Sequence, residues 1–181
     1  MIYIVIALKS EAQAFVEHYK LSKSKLHSFT LFTNTQIKLI ISGIGVTNAR
    51  VATQTLINEY DITDDDIYCN IGICGASPEY PINSLLEFGE ITYDGIPYLL
   101  KPEKLSIHCV DIAVQDFTYE IVDMESFGFY DAVFHNPAIK RVYILKVVSD
   151  HFEPKKVTKD GTKKLISKNI DAINHILFPK D

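Results

Sequence analysis

MIYIVIALKSEAQAFVEHY, residues 1–19, is a continuous apolar run followed at once by a stretch of helical period. The first part, Ile2–Leu8, is rich in β-branched residues, which favours a buried strand. Ser10 and Gln13 have the spacing of a capping box, which predicts a helix that begins at Ser10. A strand joined directly to a helix is the repeating unit of α/β folds.

The same alternation of apolar runs and helical periods continues to the end of the chain. Seven further segments are predicted as strands: Phe29–Thr33, Ile37–Ser42, Ile67–Ile71, Leu85–Thr92, Leu105–Val114, Tyr119–Val122 and Val142–Ser149. Three further helices are predicted: about Val46 to Tyr60, one that begins after Asp123 as its N-cap, and about Asp160 to Leu177. Together these elements predict a single three-layer α/β/α domain over residues 1–181, with a central, mostly parallel mixed sheet.

Composition excludes several classes of protein. The chain has 181 residues, 47% apolar and 23% charged, and its apolar runs stay below the roughly 20 residues that span a bilayer. Its 18 basic and 23 acidic side chains are dispersed, which argues against a nucleic-acid or membrane partner. The cysteines are Cys69, Cys74 and Cys109, an odd number without Cys-x-x-Cys spacing. Neither disulfides nor a metal site is indicated, and we expect a cytoplasmic protein with reduced thiols and no cofactor.

Chemically distinctive residues fall where predicted strands end. Glu11 follows the first strand, Glu125 follows Tyr119–Val122, and Asp150 closes Val142–Ser149. Ligands of α/β sheets bind beyond the carboxyl ends of the strands. The sequence therefore predicts one crevice that holds three carboxylates.

Two glycine-rich turns are predicted beside these carboxylates. Gly43–Gly45 follows one strand, and Gly72–Ala76 follows another. Neither matches a phosphate-binding pattern, so the glycines are also explained by tight turns alone.

Every one of the charged positions also has a purely structural explanation. An acid in a first helical turn, as at Glu11 or Glu125, is favoured by the helix dipole. Asp150 is also suited to a turn or a cap. Lys146 is the one charged residue within its strand, and alternation places it on the same sheet face as Val148 and Asp150. A lysine at such a position is also explained by reaching solvent at a sheet edge.

Five segments, taken in order along the chain, resemble the nucleoside phosphorylase/nucleosidase superfamily, which includes purine nucleoside phosphorylases and 5′-methylthioadenosine/S-adenosylhomocysteine nucleosidases. The segments are Ile4–Glu11, Ser42–Gly45, Asn70–Ala76, Val122–Ser126 and Val147–His151. The resemblance implies a small-molecule purine nucleoside as substrate, no cofactor, and a homodimer or larger homo-oligomer.

The resemblance also implies roles for individual residues. Asp150 would be the acid that protonates the departing base at N7. Glu125 would accept the ribose hydroxyls, Met124 would pack on the sugar, and Glu11 would orient or activate water. The remaining residues implied at the substrate site are Ile73, Cys74, Gly75, Lys146 and Ser149.

This sequence departs from the family pattern at four points. Ile73 replaces a serine that holds phosphate or the attacking water, and Asn70 replaces the phosphorylase arginine. Lys146 replaces the nucleosidase arginine, which keeps the charge but loses the bidentate fork. The segment between Tyr93 and Tyr119 is also shorter than in the family.

Three functions stay open on the sequence. Hydrolysis of a purine nucleoside is the first. Phosphate-dependent cleavage is favoured by Cys74 and by the run Ser149-Asp150-His151, which look more like phosphorylases. The third is a degenerate nucleoside-binding protein with little catalysis, which is consistent with Ile73.

Overall fold

The computed structural model describes residues 1–178 and contains a mixed β-sheet between two layers of helices. The strands are β1 (Ile2–Ile6), β2 (Ser22–Leu26), β3 (Phe29–Thr33), β4 (Ile37–Ile41), β5 (Ile67–Ala76), β6 (Leu85–Tyr93), β7 (Ile96–Leu99), β8 (Leu105–Cys109), β9 (Ile121–Asp123) and β10 (Arg141–Asp150). The helices are α1 (Lys9–Tyr19), α2 (Val46–Glu59), α3 (Ser126–Phe134) and α4 (Lys159–Leu177), with a 3₁₀ turn at Pro154–Lys156.

Parallel pairing holds the centre of the sheet. β1 pairs in parallel with β4 on one side and with β5 on the other, and β5 continues in parallel to β10. Antiparallel strands extend the sheet, with β3 on β4 and β2 on β3. Over the described residues, parallel and antiparallel pairings are equally frequent, so the sheet is mixed and its parallel part is central.

Five strands also close into a ring. β10 pairs with β6, β6 with β8, β8 with β9, and β9 returns to β5. The pairing of β9 with β5, which closes the ring, extends over two residue pairs at the carboxyl end of β5. Gly75 pairs with Val122, and Ala76 pairs with Ile121. β9 runs antiparallel to β5 there. The residues that follow β9 therefore lie near the carboxyl ends of the central strands.

The two helical layers bury opposite faces of the sheet. α1 and α4 pack together on one face, around Phe15, Ile166 and Ile170. α2 and α3 pack on the other face, around Leu56 and Phe129. The three-layer α/β/α prediction is confirmed.

Helix starts differ from the prediction. α1 begins at Lys9 with Leu8 as N-cap, and the Glu11 carboxylate, rather than the Ser10 box, accepts the Leu8 N–H at 2.8 Å. α3 begins at Ser126, three residues after the predicted cap, although Asp123 does accept the Ser126 N–H at 2.9 Å.

Strand predictions were wrong at four places. Residues 72–76 continue β5 and do not form a turn, while β8 stops at Cys109 and residues 110–120 are irregular. β2 and β7 were not predicted because both are short edge strands with few buried residues, and β2 carries Lys23 and Lys25. Charged side chains on an edge strand hide the apolar pattern and protect the edge from pairing.

In residues 1–178, none of the helices combines the length and the apolar character needed to cross a bilayer.

Candidate active site

A cavity of about 310 Å³ opens where β1, β5, β9 and β10 end. Its wall is mostly apolar and includes the predicted carboxylates. The lining residues are Ala7, Leu8, Glu11, Ile44, Ile73, Cys74, Gly75, Val110, Ala113, Val114, Val122, Asp123, Met124, Glu125, Ser149, Asp150, Phe152, Pro154 and Val157. Every predicted site residue except Lys146 is among them. A concave, largely apolar cavity of this size with a few polar groups is typical of a small-molecule site.

Glu11 enters the cavity from the first turn of α1 and is buried. Its Oε2 accepts the Leu8 N–H at 2.8 Å and its Oε1 accepts the Ile73 N–H at 3.0 Å. Burial and the neighbouring Glu125 carboxylate raise the pKa of Glu11 to about 7, although Lys146 and the two backbone donors oppose the rise. Near neutral pH this carboxyl group is able to take up or release a proton.

Glycine at position 72 leaves space for this carboxylate. A Cβ there would lie 2.9 Å from Glu11 Oε1 and 3.6 Å from Lys146 Nζ. Gly72 therefore has a packing role that the sequence does not reveal, since it lies within a strand and not in a turn.

Glu125 lies at the start of α3 and is also buried. Its Oε1 accepts the Gly45 N–H at 2.9 Å, and Gly45 has a φ of 103°, which an L side chain rarely adopts. The predicted Gly43–Gly45 turn is therefore present and orients Glu125. Desolvation and Asp123 raise the pKa of Glu125 above its usual value, against the attraction of Lys146.

Asp150 is the last residue of β10. Its Oδ2 accepts the Glu153 N–H at 2.8 Å, and its Oδ1 lies 2.6 Å from the Ser149 hydroxyl, which also reaches the Cys74 carbonyl at 3.0 Å. The β10 register shifts between Val148 and Asp150, so the alternation used to place Asp150 on the face of Lys146 does not extend to it.

Lys146 is not among the residues that line the cavity. Its ammonium Nζ is 2.7 Å from Asp123 Oδ2, and the two side chains are 1% and 0% exposed. Burial disfavours its charge, but Asp123 and Glu125 outweigh that effect and keep the pKa of Lys146 above its usual value. The alternative in which Lys146 reaches solvent at a sheet edge does not hold.

Sequence reasoning missed several residues of the site. Asp123 was interpreted only as a helix cap, although a buried lysine requires an acidic partner and this was the available signal. Val110 and Phe152 line the cavity from irregular segments, which carry no periodic pattern.

The described cavity wall contains carboxylates but neither lysine nor arginine. Within residues 1–178, no group of three or more His, Cys, Asp or Glu side chains could hold a metal ion. The charged side chains among the described lining residues are therefore all acidic: Glu11, Asp123, Glu125 and Asp150.

Solved structures of similar architecture include three informative neighbours. A 5′-methylthioadenosine/S-adenosylhomocysteine nucleosidase from S. pneumoniae, solved with a transition-state inhibitor, is 16% identical, with a TM-score of 0.79 and 97% of each chain covered. The fold of this chain is that of the nucleosidases. The corresponding Helicobacter pylori nucleosidase, solved with butyl-thio-DADMe-Immucillin-A, is 15% identical, with a TM-score of 0.76 and 97% of each chain covered.

A second activity occurs on the same nucleosidase fold. Futalosine hydrolase of Helicobacter pylori is 14% identical, with a TM-score of 0.77, and the alignment covers 97% of this chain and 96% of that one. No protein-family model matches the sequence, and no curated protein matches it in sequence. The predicted resemblance to the superfamily is confirmed at the level of fold.

Proposed function

We propose that this protein hydrolyses the N-glycosidic bond of a purine nucleoside, in the manner of a 5′-methylthioadenosine/S-adenosylhomocysteine nucleosidase. The observation that carries the proposal is the position of Glu11, Glu125 and Asp150 around one cavity of about 310 Å³. Nucleosidase structures with the same fold support this assignment.

In the proposed mechanism Asp150 is the acid for the departing base. Cleavage leaves an electron pair on the purine, and protonation at N7 neutralises it. The Glu153 N–H and the Ser149 hydroxyl orient the Asp150 carboxyl group. The apolar side chains Phe152 and Val110 supply contact surface for a base, and the ring of Phe152 is flat.

Glu125 and Met124 would hold the ribose. An ionised carboxylate accepts stronger hydrogen bonds from hydroxyls than a neutral group does. The sugar becomes cationic in the transition state. The negative charge of Glu125 therefore stabilises the transition state more than the ground state, and this difference lowers the barrier. The Gly45 N–H occupies one Glu125 oxygen and leaves the other for the sugar.

Glu11 would orient water and accept its proton. A pKa of about 7 suits a base that works near neutral pH. Leu8 and Ile44 lie on the same wall, so the 5′ end of the sugar would meet an apolar surface. That favours a methylthio or similar 5′ group over a free hydroxyl.

Phosphate is a poor nucleophile for this site. A phosphate dianion needs several donors or cations in fixed geometry. The described cavity wall offers none of the cationic side chains, and Lys146 is already paired with Asp123. Water needs one carboxylate to orient it.

A nucleoside-binding protein with little catalysis is the second candidate. Two observations favour it. Ile73 lines the cavity at the position where the family resemblance implies a serine that holds the nucleophile. Both Glu11 oxygens accept backbone N–H groups, which partly satisfies the carboxylate before water arrives.

The test is adenine release from 5′-methylthioadenosine and adenosine, with and without phosphate, and with the sugar product identified. Release in phosphate-free buffer with free sugar as product supports hydrolysis. Phosphate-dependent release with a sugar 1-phosphate would overturn it in favour of a phosphorylase. Binding without release in either buffer would identify the binding protein.

Two further features belong to the same proposal. The buried, unpaired thiols of Cys69, Cys74 and Cys109 suit a reducing cytoplasm. A homodimer or larger homo-oligomer is proposed from the family resemblance, and light scattering of the purified protein would measure its mass in solution.

A further inference from the structure

The ion pair between Lys146 and Asp123 joins a residue that lines the cavity, Asp123, to one that does not, and the proposed mechanism does not use it. Its Nζ to Oδ2 distance is 2.7 Å, and neither side chain reaches solvent. A buried pair of this kind adds little net stability, because desolvation of both ions offsets their attraction. Its presence beside the site therefore invites another explanation.

Asp123 also holds the turn that carries Glu125. One of its oxygens accepts the Ser126 N–H at 2.9 Å and the Glu125 N–H at 3.3 Å, and the other accepts the Ser126 hydroxyl at 2.6 Å. Lys146 contacts the oxygen that receives both backbone donors. The ammonium therefore links strand β10 to the backbone of the Met124–Glu125 turn.

Among the buried charged side chains of residues 1–178, Lys146 is the one cation, and the others are acids. Glu11 comes from α1, Asp123 and Glu125 flank the end of β9, and Asp150 lies further along β10. The thiols of Cys74 on β5 and Cys109 on β8 also face the pair, and burial raises the pKa of both, so they stay neutral.

We propose that Lys146 is a positioning residue: through Asp123 it fixes the Met124–Glu125 turn against the cavity, and it supplies the positive charge that a buried Glu125 carboxylate needs. Glu125 then meets the sugar as an ionised acceptor in a fixed place. The attraction of Lys146 lowers the pKa of Glu125 against the effect of burial, which is consistent with this role. The inference rests on the proposed function for its catalytic consequence, but not for its structural part.

The first test does not need a substrate. Carboxyl ¹³C NMR titration follows Glu125 in the wild type, in Lys146→Met and in Lys146→Arg, with Glu125→Gln to assign the signal. We expect the Glu125 midpoint to move to higher pH in Lys146→Met and to stay close to wild type in Lys146→Arg. An unchanged midpoint in Lys146→Met would overturn the proposal.

A double variant guards against loss of folding in Lys146→Met, which leaves Asp123 buried and unpaired. Asp123→Asn/Lys146→Met removes both charges, and we expect it to fold with a melting temperature close to wild type. Loss of the Asp123 charge by itself lowers the Glu125 midpoint, so the double variant is compared with Asp123→Asn, and its Glu125 midpoint should lie above that of the single variant. Equal midpoints in these two folded variants would equally refute the role of Lys146.

The second test measures nucleoside cleavage in the same variants. We expect kcat/KM to fall about 100-fold in the double variant, the usual cost of misplacing a group at a reacting centre, and less than tenfold in Lys146→Arg. Lys101→Met is the matched control, since Lys101 pairs with Glu87 away from the cavity. Full activity in the double variant would contradict the proposal. If the wild type itself cleaves no nucleoside, the proposed function fails, while the titration still decides the role of Lys146.

Discussion

Replacement of Glu11 by glutamine should make the stability of the protein less dependent on pH. Folding buries Glu11 and raises its pKa from 4.5 to about 7, so the folded state binds a proton more tightly than the unfolded state. Between these two pH values the folded state carries more protons than the unfolded state. Its free energy of unfolding therefore falls as the pH rises through this range.

The size of the effect follows from that change in pKa. Each pKa unit corresponds to about 1.4 kcal/mol, so Glu11 should cost the wild type about 2–3 kcal/mol of stability between pH 5 and pH 8. Glutamine carries no charge and removes this loss. It also leaves one of the Leu8 and Ile73 N–H groups facing an amide NH₂, which costs about 1–3 kcal/mol at every pH.

Urea or thermal unfolding at pH 5 and pH 8 measures the difference. We expect Glu11→Gln to be less stable than wild type at pH 5. At pH 8 the wild type has paid the cost of ionising Glu11, so the stability of the variant relative to wild type should be higher than at pH 5 by about 2–3 kcal/mol, roughly 5–10 °C in melting temperature. Glu17→Gln on the exposed side of α1 is the control and should follow the wild type. A Glu11→Gln variant that loses stability in parallel with wild type would show that Glu11 is ionised in the folded protein, and the reasoning would be wrong.

Three other substitutions test the site. Asp150→Asn should lower kcat by about 10²–10⁴ with little change in melting temperature, and steady-state kinetics with unchanged turnover would remove Asp150 from the mechanism. Glu125→Gln should lower kcat/KM less for a 2′-deoxynucleoside than for the ribonucleoside, and equal losses in the two assays would argue for helix capping alone. Gly72→Ala should crowd Glu11 Oε1, at 2.9 Å, and cost about 1–3 kcal/mol in urea unfolding, whereas wild-type stability would mean that the carboxylate moves freely.

The layered fold and the main carboxylates were predictable because both depend on short patterns in the sequence. The run before Lys9 predicts β1, and the position of Asp150 at the end of an apolar run places it at the sheet edge. Glu125 reaches the same cavity for a different reason from the one expected. It follows β9, which pairs in parallel with β8 but runs antiparallel to the central strand β5.

The remaining parts of the site depend on contacts between distant segments. The partner of Lys146 is 23 positions earlier in the chain, and no periodicity connects them. Gly72 was interpreted as a turn residue, but its lack of a side chain matters because Glu11, far away in sequence, occupies the space. Tertiary packing decides such positions, and a single sequence does not encode it in a local pattern.

Residues 110–120 connect β8 to β9 and form part of the cavity wall through Val110, Ala113 and Val114. This segment supplies none of the three carboxylates, and the strand pairs of β8 and β9 hold its two ends. Each doubling of the length of a loop raises the entropic cost of closing it by only about 0.6 kcal/mol. The segment can therefore be lengthened or exchanged while the carboxylates stay in place. The architecture thus separates the carboxylates from part of the wall around them, and under the proposed function a loop graft at this position is a route to altering which base the cavity admits.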